Sequence, residues 1–94
     1  LIGEAANKDI VEGIHKIASK QESIEKINEV LTLHMGPEFI LVNMSISFKS
    51  HLPVGNIEKT IEIITKNIKK EFPIAKKVFI EAEPAKLEPN KDLI

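Results

Sequence analysis

Residues 39–48 read Phe-Ile-Leu-Val-Asn-Met-Ser-Ile-Ser-Phe, the cleanest alternation in the chain. Ile40, Val42, Met44, Ile46 and Phe48 point one way, and Asn43, Ser45 and Ser47 point the other with Phe39 and Leu41. A strand, with its period of two, puts the first set on one fully apolar face; a helix would scatter it around the axis. The fold must therefore supply a layer to cover that face.

The neighbouring segments provide the cover. A helix is expected from near Asp9 to near Lys20, with Ile10, Ile14, Ile17 and Ala18 along one side and Asp9 and Glu12 at capping-box spacing. Gly13 costs such a helix about 1 kcal/mol relative to Ala, so it needs tertiary packing to persist. A second helix is expected from about Asn56 to Lys70, with Ile57, Ile61, Ile64 and Ile68 as its apolar stripe. Glu58 and Glu62 sit early and Lys66, Lys69 and Lys70 late, which suits the helix dipole, and Phe72-Pro73 stops it.

Two more strands complete the pattern. Residues 27–35 place Ile27, Leu31, Leu33 and Met35 on one face and Val30, Thr32 and His34 on the other. Gly36-Pro37-Glu38 then turns the chain into residues 39–48 as an antiparallel hairpin. Lys77 to Glu83 has Val78, Ile80 and Ala82 on one face and Phe79, Glu81 and Glu83 on the other. The order α-β-β-α-β contains a β-α-β unit from Phe39 to Glu83, whose two strands should be parallel and whose crossover should be right-handed. The expected fold is α+β: a ferredoxin-like sandwich lacking its first strand, with a three-stranded mixed sheet and both helices on one face. The other face would expose Val30, His34, Phe39, Leu41 and Phe79. That reads either as a surface for association or as an ordinary half-polar exterior.

Composition bounds the function. The 94 residues suffice for one small domain. All the basic residues are lysine, thirteen against fourteen acidic ones, so the net charge is −1. That balance argues against a nucleic-acid partner, and without arginine there is no two-pronged grip on phosphate. The chain has no cysteine, tryptophan or tyrosine, which removes thiol chemistry, cysteine zinc sites and aromatic platforms for bases. No serine sits in an elbow motif and the glycines form no phosphate loop, so enzymatic activity is not expected. The start at Leu1 has neither methionine nor signal-peptide character, which suggests a piece of a longer chain. Residues 1–85 read as the domain. From Pro84 onward the charges alternate, and residues 86–94 read as a weakly packed tail.

One cluster could carry chemistry. Glu81 and Glu83 share a strand face with their backbones about 7 Å apart. His51 follows the second strand, and parallel pairing brings that end of the sheet next to the end of the last strand. One imidazole and two carboxylates could form an open divalent-cation site. The plainer reading is two solvated glutamates and a loop histidine. His34 belongs to the opposite end, and His15 reads as a surface residue.

Several motifs then converge. Leu1-Ile2-Gly3-Glu4-Ala5-Ala6 precedes a helix beginning Asp9-Ile10-Val11-Glu12. A hairpin turns at His34-Met35-Gly36-Pro37. Leu52-Pro53 leads into a helix ending Phe72-Pro73, and the last strand closes Glu81-Ala82-Glu83-Pro84. Over residues 1–85 this resembles the C-terminal cytosolic domain of a cation diffusion facilitator, the family of zinc and related divalent-metal transporters. The resemblance implies a metallochaperone-like fold that follows a transmembrane domain, projects into the cytoplasm, forms a homodimer and often binds metal at the subunit junction to regulate transport. It also implies a metal/proton exchanger whose transport site lies in the membrane part. The family's metal-binding His-x-Asp before the final Pro corresponds to Glu81 and Glu83 here. Its histidine in the second strand corresponds to Ser45 and one early in the second helix falls near Glu58. A first-strand histidine has no counterpart among Asn28, Glu29 and Val30. Oxygen donors are harder than imidazole and less selective for zinc. The alternative is a free-standing or enzyme-attached module of the same fold that binds a small molecule or a metal.

Overall fold

The computed structural model describes residues 4–5 and 8–83. Its elements are β1 (Glu4–Ala5), α1 (Lys8–Ser19), β2 (Ile24–Gly36), β3 (Phe39–Phe48), α2 (Val54–Glu71) and β4 (Ala75–Glu83). The sheet order is β1-β2-β3-β4. β2 and β3 pair antiparallel as a hairpin, and β3 and β4 pair parallel across α2. The three long strands and two helices are those expected. The two-residue β1, which pairs antiparallel with the end of β2, carries no alternation long enough to be read from sequence. The proposed tail, residues 86–94, lies outside the described residues.

The core forms where the sequence demanded it. Ile40, Val42, Met44 and Ile46 of β3 are fully buried beneath Ile14, Ile17 and Ala18 of α1 and Ile64 and Ile68 of α2. Ile24, Ile27, Val30, Val78 and Ile80 of the flanking strands pack against this cluster at its margins. The cost of Gly13 has a structural counterpart. A Cβ at that position would stand 2.5 Å from the ring of Phe72, so the glycine lets α1 come close to the end of α2. α1 begins at Lys8, which puts Asp9 inside the first turn rather than at the cap. Its charge still favours the positive end of the helix dipole. α2 begins two residues before the expected Asn56. Pro53 precedes it in an extended conformation and supplies no side-chain cap.

The face assignment of β2 is corrected by the structure. The pairing register shifts between Ile27, opposite Ile46, and Glu29, opposite Ser45, so that Asn28 is an extra residue. A bulge of one residue moves every following side chain to the other face. Beyond it, Val30, Thr32 and His34 stand opposite Met44, Val42 and Ile40 and share their helix-facing side. Thr32 is buried there. Leu31 and Leu33, opposite Asn43 and Leu41, fall on the outer face instead of in the core. The Asn28 amide holds the bulge by donating to the Ser47 hydroxyl at 2.9 Å and the Ser45 hydroxyl at 3.3 Å.

Candidate functional site on the outer face of the sheet

Cross-strand register arranges the outer face in rows. Leu33, Leu41 and Lys77 form one row, and Leu31, Asn43 and Phe79 the next. Glu29, Ser45 and Glu81 follow, and then Lys26, Ser47 and Glu83. The face is therefore divided along the strands. One half is apolar and open to solvent, with Leu31 44%, Phe79 53% and, near the hairpin, Met35 39% exposed. Single exposed apolar residues are commonplace, but a contiguous group on one sheet face marks a surface for association.

The other half is polar. Asn28, Glu29, Ser45 and Glu83 line an open depression of about 240 Å3, and Glu81 stands beside Ser45 on β4. Its donors are carboxylates, an amide and a hydroxyl, the oxygen chemistry that suits hard cations. Among the described residues, no group of three or more His, Cys, Asp or Glu side chains could hold a metal ion within one chain.

The expected site residues separate accordingly. Glu81 and Glu83 lie on the outer face. His51 is exposed in the turn after β3, with φ 66°, a left-handed conformation uncommon outside glycine. That turn leads from the sheet to α2 in the helix layer, away from the outer face. His34 sits at the far end, opposite Ile40, and His15 is exposed on α1. The depression adds Glu29 and Asn28 to the candidate donors. Their signal was present as a break in alternation: Ile24, Ile27 and Val30 are spaced by three, and each excess residue is a bulge.

This fold has known relatives. The model of the cation efflux protein cytoplasmic domain matches residues 6–85, and the chain belongs to that family. No curated protein sequence matches it. Among solved structures, a nickel form of an aspartate-to-asparagine variant of the MamM C-terminal domain superposes with a TM-score of 0.75 at 14% identity, covering 85% of this chain and 100% of that one. A cadmium form of an aspartate-to-glutamate variant of the same domain gives 0.74 at 13% identity, covering 84% and 98%. The C-terminal domain of MamB, a magnetosome protein of Desulfamplus magnetovallimortis BW-1, gives 0.74 at 16% identity, covering 86% and 99%. At these identities the structural likeness speaks to the fold, and the family match to the function: the cytoplasmic domain of a cation efflux protein. No described helix is long and apolar enough to cross a membrane.

Proposed function

We propose that this domain regulates a zinc or other divalent-cation efflux transporter, a metal/proton antiporter, by pairing with its twin at the cytoplasmic face of the cell membrane. In this reading an N-terminal transmembrane domain of the parent chain carries the transport site, and the domain itself catalyses nothing. The observation that carries it is the divided outer face. Leu31, Leu33, Leu41 and Phe79 offer an apolar surface to a second copy, and the carboxylates of Glu29, Glu81 and Glu83 lie next to it. A cation drawn between two such polar halves would favour the closed dimer by its differential affinity, and only by that amount. The nickel and cadmium forms of MamM domains lend support to divalent-cation binding on this fold. The oxygen donors here favour harder cations over zinc. Glu81 and Glu83 are the proposed ligands, and His51, in the turn at the same end of the sheet, completes no group of three with them within one chain among the described residues.

Sedimentation equilibrium with and without zinc tests the dimer. A dimer tightened by the cation is expected, and a strict monomer at high concentration under both conditions would sink the proposal. Titration calorimetry on Glu81→Ala/Glu83→Ala tests the ligands. Zinc or manganese binding unchanged from the parent would remove both glutamates from the site.

A further inference from the structure

The lysines are unevenly placed. Residues 66–77 read Lys-Asn-Ile-Lys-Lys-Glu-Phe-Pro-Ile-Ala-Lys-Lys, five of the thirteen lysines against one glutamate. All five are exposed. Lys66 pairs with Glu62 at 3.3 Å. Lys69, Lys70, Lys76 and Lys77 have no ion pair among the described residues. Lys69 and Lys70 occupy the last turn of α2. The register shift between Ile40 and Leu41 leaves Lys76 as an extra residue beside Lys77, so two adjacent lysines stand out from the start of β4.

Register also places this cluster relative to the start of the domain. Glu4 pairs with His34, His34 with Ile40 and Ile40 with Ala75. That single row crosses all four strands, so β1 and the start of β4 lie at the same end of the sheet, about 14 Å apart at three strand spacings. This end also carries acidic residues, Glu4 of β1 among them, but two of them are engaged. Glu12 faces Lys8 at 4.0 Å, Asp9 has a partner of its own, and Glu38 sits on the β2–β3 turn, two residues before the Ile40–Ala75 pair. Glu71 is the one carboxylate within the run.

We propose that Lys69, Lys70, Lys76 and Lys77 form a docking surface for an anionic membrane. The inference rests on the reading that the domain hangs beneath a bilayer with β1 towards it. Lysines in the last turn complement the helix dipole, and lysines on an edge strand discourage pairing with another chain. Neither role accounts for gathering all four at the end where β1 lies. Acidic headgroups attract basic clusters within a Debye length, which four neighbouring side chains on one end can exploit together. The whole domain, with net charge −1, has no overall attraction to such a surface, so binding would have to come from the local cluster. Contact there would fix the tilt of the domain against the bilayer and so bias how two copies meet.

Vesicle co-sedimentation of the 94-residue chain at low salt tests this. It should partition onto vesicles containing 30% phosphatidylserine and not onto pure phosphatidylcholine, and 0.5 M salt should release it. Each lysine lost should lower partitioning about fivefold. The variant Lys69→Gln/Lys70→Gln/Lys76→Gln/Lys77→Gln should therefore fall more than a hundredfold. The control Lys26→Gln/Lys49→Gln/Lys59→Gln removes three lysines at the other end and should stay within about threefold of the parent. Circular dichroism checks that both are folded. No partitioning by the parent, or an equal fall in the control, would overturn the inference. Sedimentation equilibrium of the same samples separates the two readings. A monomer that binds vesicles keeps the docking surface and loses the dimer, and a dimer that ignores vesicles does the reverse.

Discussion

The two faces of the sheet come from the same strands, often from adjacent residues, yet they obey different rules. The inner face of β3 is Ile40, Val42, Met44 and Ile46, each fully buried against two helices. The outer face changes character along its length, from Leu31, Leu33, Leu41 and Phe79 to Glu29, Ser45, Glu81 and Glu83. Folding needs the first surface and makes little demand on the second. An outer face that is apolar at one end and acidic at the other is therefore better explained by what it meets than by what it holds together.

The contrast can be tested by substitution. Met44→Ala should destabilise the domain by about 2–5 kcal/mol, because a buried side chain is lost and a cavity left behind. A urea midpoint that barely moves would mean that the inner face is not the core. Phe79→Ser should leave that midpoint within about 0.5 kcal/mol, as expected of an exposed position, while weakening self-association by roughly tenfold or more if the ring is an interface anchor. Sedimentation reads the second effect, and equal losses in stability and association would erase the distinction between the faces. Asn28→Ala removes the amide that donates to Ser45 and Ser47, with an expected cost of about 1 kcal/mol. Nuclear Overhauser contacts should still find the Leu33 methyls away from both helices. Contacts to α1 would show that the amide, and not the packing of Val30 and Thr32, sets the register. Smallest of all, Glu81→Gln/Glu83→Gln should change thermal stability by less than about 0.5 kcal/mol without added metal, since solvated carboxylates do little for folding.

Most of the fold could be read from residue spacing, because burial imposes its period directly on the chain. β3 keeps its expected bounds, Phe39–Phe48, and the stripe of α2 delivers Ile64 and Ile68 to the core. β2 misleads because its alternation is broken at Asn28. Leu31, Leu33 and Met35 look like a core set when counted by twos, but the bulge gives that place to Val30 and Thr32. The candidate site was half legible. Glu81 and Glu83 stood out by their shared face, whereas Glu29 and Asn28 joined them only through pairing with β3. His51 illustrates the converse: nearness along a sheet edge does not decide on which side of the sheet a loop leaves it.

Local spacing and turn chemistry were enough to specify the three long strands and two helices, the apolar side of β3 and the family resemblance, since each depends on residues close together in the chain. The register of β2, the division of the outer face and the gathering of Lys69, Lys70, Lys76 and Lys77 at the end marked by β1 were settled by tertiary pairing. The reason is that a single unpaired residue costs the backbone little, yet it reverses every side chain beyond it, and only the packed partner strand selects which reversal survives.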